Sequence, residues 1–139
     1  MTTVTKQVAS TIAFASTTAQ LFVADVKVSS EFFATTLGFV PQFLYGDPPY
    51  YGMVKRGDGR IALRLVCEPV FVGDIREREH LLSASIAVQT AAEIKALFLE
   101  FRRAGAQFHQ TLKKEPWGAR DFIVRDPDGN LIHFAGPAD

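Results

Sequence analysis

Three histidines, His80, His109 and His133, set the limits on the chemistry open to this chain. His133 lies in a short apolar run, Leu131 to Ala135, which returns from the turn Asp126-Pro-Asp-Gly-Asn130 after the outgoing run Asp121 to Arg125. Pro127 presets φ at the first turn position, Gly129 tolerates positive φ, and the turn aspartates can accept from turn amides, so a β-hairpin is specified. A single imidazole on such a strand is either a hydrogen-bonded group in a half-buried cleft or a ligand contact, general acid or general base. Two arginines can complete a site of this kind. Arg64 falls inside the run Arg60 to Cys67 and Arg120 directly precedes Asp121; a guanidinium fork facing a cavity binds a carboxylate or another oxyanion bidentately. Tyr45, Tyr50 and Tyr51 flank Gly46-Asp-Pro-Pro49, and Trp117 lies between strand-like runs. Loop aromatics there offer stacking area with a polar edge to a ligand, or else cover a rim or subunit interface.

Two helices must position these groups. The clearer one runs from Ala91 to about Ala104: Thr90 and Glu93 make a capping box, Ile94, Leu97, Phe98 and Phe101 recur at helical spacing, and Gly105 stops it. The other is expected after an Asp25 N-cap and ends at Gly38, with Val26, Phe33 and Leu37 on its apolar face. Strands are expected at Thr17–Ala24, Phe39–Tyr45, Tyr51–Lys55 and Arg60–Cys67 around this helix. Around the helix from Ala91 they are expected at Ser83–Gln89, Gln107–Leu112, Ala119–Arg125 and Leu131–Ala135. Both sets read β-α-β-β-β, which predicts an α+β fold of two duplicated modules. Residues 15–68 and 83–136 are the modules of one structural domain, 15–136, with an arm at 1–14 and a linker at 69–82. The charge run Arg76-Glu-Arg-Glu-His80 in the linker reads as a solvated face.

Composition narrows the function. With 15 basic and 15 acidic residues the net charge is zero, so no overall field recruits nucleic acid or an anionic membrane. Cys67, the only cysteine, permits no intrachain disulfide and reads as a small buried hydrophobe. The N-terminal segment lacks the features of a secretory signal and no apolar run reaches membrane-spanning length, so a cytoplasmic location is expected.

Three separated motifs resemble the vicinal oxygen chelate superfamily, which includes glyoxalases, bleomycin-resistance proteins and extradiol dioxygenases. They are the doubled β-α-β-β-β order, the Asp25…Phe32-Phe33…Leu37-Gly38-Phe39 pattern, and Phe122 followed by Asp126-Pro-Asp-Gly-Asn130. Pro116-Trp117-Gly118, Arg120-Asp121-Phe122 and Arg125-Asp126-Pro127 are similar to the bleomycin-resistance subgroup, with Ala119 as one extra residue. The resemblance implies curled half-barrel modules around a cleft, with modules paired within one chain or between two, and a homodimer.

Metal-using members of that superfamily place His, Gln or Glu at four inward strand positions. Carried onto this sequence, those positions hold Thr18, Ser83, Arg64 (or Leu63, if the Asp-Gly turns are aligned) and His133. A lone imidazole does not hold a catalytic ion, so the expectation is no metal and no cofactor. The expected function is capture of a small organic molecule in an aromatic cleft lined by Arg64, Arg120, Trp117, His133, Tyr50, Tyr51 and Phe33. Because bleomycin is cationic and this chain is neutral with an arginine at a cleft position, an anionic or enol-like compound is expected in its place. The alternative is a metal-independent isomerase, hydrolase or lyase using His133 as acid or base with an arginine as oxyanion stabiliser. An accessory domain acting through protein contacts ranks last.

Overall fold

Each half of the chain places a strand, then a helix, then a three-stranded meander. In this computed structural model, which describes residues 10–139, the order is β1 (Ala19–Val23), α1 (Val26–Thr35), β2 (Val40–Gly46), β3 (Pro49–Arg56) and β4 (Gly59–Leu65). The second half follows with α2 (Ile75–Arg78), β5 (Leu82–Ala87), α3 (Ala91–Arg103), β6 (Gln107–Lys114), β7 (Ala119–Arg125) and β8 (Leu131–Pro137). The N-terminal part of the expected arm, residues 1–9, lies outside the described residues; 10–18 are irregular and exposed.

Both caps form as expected: Asp25 Oδ1 accepts from the Val28 amide at 3.0 Å and Thr90 Oγ1 from the Glu93 amide at 3.1 Å. The strands make two four-stranded mixed sheets, ordered β1-β4-β3-β2 and β5-β8-β7-β6, with β1 parallel to β4, β5 parallel to β8, and the other pairs antiparallel. This is the expected α+β architecture of paired βαβββ modules.

Helix α1 packs on β2, β3 and β4, and α3 on β6, β7 and β8. Alternation along the strands sends Leu21, Val54, Ile61 and Leu63 towards α1, and Phe122, Val124, Ile132 and Phe134 towards α3. These side chains join Phe33, Leu37, Ile94 and Phe101 in one continuous core. Burying each is worth about 1.5–3 kcal/mol. Gly136 is needed where α3 crosses β8, since a Cβ there would stand 2.9 Å from Ile94 Cβ.

The Asp126–Asn130 turn fastens the halves to each other. Asp126 Oδ1 accepts from the Asp128 and Asn130 amides at 2.9 and 2.7 Å, and Asp126 Oδ2 from Asn130 Nδ2 at 2.9 Å. Asn130 Nδ2 also donates to the Phe22 carbonyl at 3.1 Å, and Asp128 Oδ1 accepts from the Ala24 amide at 2.8 Å, both on the first half. Burial pushes the Asp126 carboxyl up to about 6, against the pull of its bonds from Asn130. On the other side, Arg56 donates to the Leu37 carbonyl at 2.9 Å and forks onto Glu100 of α3.

Two expectations are corrected. The linker's charge run is not a solvated face throughout: it overlaps α2, and Arg76 donates to Asn130 Oδ1 at 3.0 Å and the Asp128 carbonyl at 2.8 Å while lying over the Phe71 ring. Its long stem and planar fork let a charged residue lock a turn from outside. Cys67 is exposed because β4 ends at Leu65 and the chain leaves the core there.

Candidate functional site

His133 occupies the centre of a hydrogen-bonded row that crosses the second sheet. Its neighbours Ile132 and Phe134 enter the core, so His133 projects from the face opposite α3. Ser85 of β5 stands beside it in register, and Ser85 Oγ lies 2.7 Å from His133 Nδ1. On the other side, Asp121 of β7 pairs in register with Ala135, two residues along β8, and the imidazole leans diagonally to reach it. His133 Nε2 lies 2.9 Å from Asp121 Oδ2, and Gln110 Nε2 of β6 donates to Asp121 Oδ1 at 2.9 Å. Each strand therefore contributes one residue. Exposure falls along the row: Ser85 is exposed, while the His133 and Asp121 side chains are 17% and 8% exposed. A carboxylate accepts only, so Asp121 takes Nε2–H and leaves Nδ1 to accept from the Ser85 hydroxyl.

A different constellation lies on the helix-free face of the first sheet. Leu63 enters the core, so Arg64 faces away from α1, with Phe22 beside it on β1 and Tyr51 on β3. Tyr45 continues the row on β2, opposite Tyr51. The Tyr51 ring packs 5.6 Å from Phe43, and Tyr50 meets Tyr45 edge-on, also at 5.6 Å. Arg64 is exposed and forms no ion pair among the described residues.

The structure does not bring all the expected site residues together. Arg64 and Tyr51 are register partners and Tyr50 packs on Tyr45 at the β2–β3 turn, whereas His133 belongs to the second sheet. Trp117 is 74% exposed in the turn between β6 and β7. Phe33 is fully buried between α1 and its sheet, because the apolar face of α1 faces the core. Arg120 is adjacent to Asp121 and so points to the other side, where it forks onto the Asp139 carboxylate at 3.1 and 3.0 Å. Lys95 and Arg120 together hold that carboxyl down to about 2.

The four positions that hold metal ligands in other members do not converge on a donor set here. Thr18 precedes β1 and is exposed, Arg64 repels a cation, and Ser83 Oγ turns to Asn130 Oδ1 at 3.4 Å. The residue opposite His133 is Ser85, because β5 ends at Ala87 and leaves Val88 and Gln89 before the Thr90 cap. His80 and His109 do converge, with Nδ1 and Nε2 2.8 Å apart. Burial, then the His80 and Arg125 charges, push His109 down, while Glu77 pulls the other way. Among the described residues, no group of three His, Cys, Asp or Glu side chains is placed to share an ion. The residues present do not fit a resident metal.

The sequence profile of the Glyoxalase/Bleomycin resistance protein/Dioxygenase superfamily matches residues 14–134. The chain belongs to this superfamily. No curated protein sequence matches it. Among superfamily structures, the bleomycin-binding protein of bleomycin-producing Streptomyces verticillus, complexed with copper(II)-bleomycin, is 29% identical. It superposes with a TM-score of 0.65 over 92% of this chain and 98% of its own. TioX from Micromonospora sp. ML1 is 22% identical, with a TM-score of 0.69 over 89% of this chain and 99% of its own. A glyoxalase-related enzyme from Clostridium phytofermentans is 17% identical, with a TM-score of 0.70 over 91% and 98%. These last two likenesses speak to the superfamily fold alone.

Proposed function

We propose that this superfamily member captures a small, partly aromatic anion on the helix-free face of its first sheet, without a metal, by sequestration. The observation that carries this reading is Arg64, set in register between Phe22 and Tyr51 with no ion pair of its own among the described residues. A guanidinium between two rings can fork onto a carboxylate while the rings stack on the aromatic part of the same molecule. The 29% identity to a bleomycin-binding protein supports small-molecule capture as the mode of action. A homodimer is supported by the edge strand β2, whose Val40 and Tyr45 are 61% and 63% exposed beside exposed Phe43 and Leu44. A cytoplasmic location is supported by the exposed free thiol of Cys67.

Titration of EDTA-treated protein with 2-naphthoate, followed by calorimetry, tests the reading. Arg64→Met should weaken binding about 10- to 100-fold, the equivalent of one charge-assisted contact. Equal affinity in wild type and Arg64→Met would remove Arg64 from the site.

A second reading, proton transfer by His133, is favoured by the buried Asp121 carboxylate behind its ring. Arg120 lies on the opposite face from His133, so an oxyanion is not stabilised by that side chain. Under this reading His133→Ala abolishes turnover and spares ligand capture.

A further inference from the structure

The row from Gln110 to Ser85 has a direction, and that direction is the basis of the inference. Its carboxylate end is buried and clamped by Gln110, its imidazole is largely covered, and its hydroxyl end is exposed. An acceptor at the buried end orders the imidazole protons, so the free lone pair of Nδ1 faces the Ser85 hydroxyl. A serine oxygen is a weak nucleophile alone and becomes a competent one when a positioned base takes its proton as the new bond forms. The three parts that chemistry requires are present: nucleophile, base in hydrogen-bond contact, and a third group orienting the base. The ring nitrogens are exchanged relative to the usual serine hydrolase arrangement, which leaves their roles intact because either nitrogen can be donor or acceptor. Ser85 Oγ lies beside the His133 ring on the face of the second sheet opposite α3, so the hydroxyl end of the row is reached from that open face.

We propose that Ser85 is a nucleophile activated by His133 and positioned by Asp121, and that it cleaves carboxylic esters through an acyl-serine. This rests on the reading that His133 moves a proton, and adds the nucleophile and the bond broken. Ser85 Oγ attacks the ester carbonyl carbon, its proton passes to His133 Nδ1, and the carbonyl π pair moves to oxygen. Collapse of the tetrahedral adduct breaks the bond to the leaving oxygen, which departs as an alcohol with the proton from Nδ1. Water then attacks the acyl carbon, gives a proton to Nδ1, and releases the carboxylic acid as Ser85 recovers its hydrogen. The imidazolium in each half-reaction is stabilised by the Asp121 carboxylate at Nε2. Proton transfer is the assistance this row supplies, so the substrates are esters with weakly basic leaving groups, such as aryl esters, rather than amides. Ester hydrolysis needs no co-reactant beyond water.

A fluorophosphonate probe and p-nitrophenyl butyrate test this on the full chain. The probe forms an oxygen–phosphorus bond to an activated serine and loses fluoride with the serine proton, so intact mass should rise by one adduct per chain, mapped to Ser85. Ser85→Ala should abolish the adduct, and His133→Ala should slow its formation roughly 100-fold or more. Asp121→Asn, a change to a positioning residue, should shift the pH profile of p-nitrophenyl butyrate hydrolysis as well as lower its rate. Ser85 is exposed, so its alanine variant keeps the fold and stays informative if the others do not. No adduct on the wild type, or labelling at the same rate in His133→Ala, overturns the proposal. Hydrolysis that survives Ser85→Ala but not His133→Ala would retain His133 as a base acting on water and remove Ser85 as nucleophile. Hydrolysis indifferent to both substitutions, or absent from the wild type, would remove both readings.

Discussion

Replacing Asn130 by alanine should destabilise the protein more than any surface substitution, because this one side chain ties the turn to the first half at the Phe22 carbonyl and to Asp126 and Arg76 within the second. Asn130 is 2% exposed; Nδ2 donates to the Phe22 carbonyl at 3.1 Å and to Asp126 Oδ2 at 2.9 Å, and Oδ1 accepts from Arg76 at 3.0 Å. Alanine removes these three bonds, with the longer one from Ser83 Oγ at 3.4 Å, and leaves a carbonyl, a carboxylate oxygen and part of a guanidinium without that partner. Each lost bond costs about 1 kcal/mol net, and groups left unsatisfied in partly buried positions add up to about 2 kcal/mol more, so the total is about 3–5 kcal/mol. With a urea m-value of about 2 kcal/mol per molar, the unfolding midpoint should fall by about 2 M at unchanged m. Asn130→Asp serves as a control. It sets a second carboxylate against Asp126, whose carboxyl is pushed up to about 6, and so should cost more at pH 8 than at pH 5. A loss under 1 kcal/mol in Asn130→Ala would refute the view that this turn fastens the halves.

Further expectations concern pH, salt and the thiol. The raised Asp126 carboxyl means that the folded state binds its proton more tightly than the unfolded state. Stability should therefore gain up to about 3 kcal/mol as pH falls through 6 towards 4, a slope that Asp126→Asn should remove from urea midpoints measured across that range. The Arg56–Glu100 pair is partly exposed, so Glu100→Gln should cost less than about 1 kcal/mol, and the loss should shrink further in 0.5 M salt. Cys67 should react with Ellman's reagent in the native state at a rate close to that in urea; protection by 100-fold would contradict its exposure.

The elements were legible because their signals are local. Thr90 and Glu93 encode a capping box within four residues, and the Asp126–Asn130 turn announces its hairpin by composition alone. The site was less legible because it depends on register. His133 is visible as an imidazole in an apolar run, but its partners come from other strands, and the resemblance points to Ser83 where pairing gives Ser85. Asp121 could have been found: it lies two residues before Ile123, which pairs with His133, so the two-residue period of β7 sets it on the same face. The same period sets Arg120 on the face opposite His133. Cys67 was misjudged by residue type, since a cysteine is most often buried but here follows the end of its strand. Arg76 was misjudged by its neighbours, because a charge run gives no sign of which member folds back.

Capture of a small molecule by a site with no resident metal can be read in a single native mass spectrum. EDTA-treated protein should be incubated with equimolar Zn2+ and an excess of 2-naphthoate and sprayed from ammonium acetate. The expected species is a dimer carrying 2-naphthoate and no zinc, with the organic adduct lost in Arg64→Met. One zinc ion per chain, or 2-naphthoate bound only when zinc is present, would contradict it.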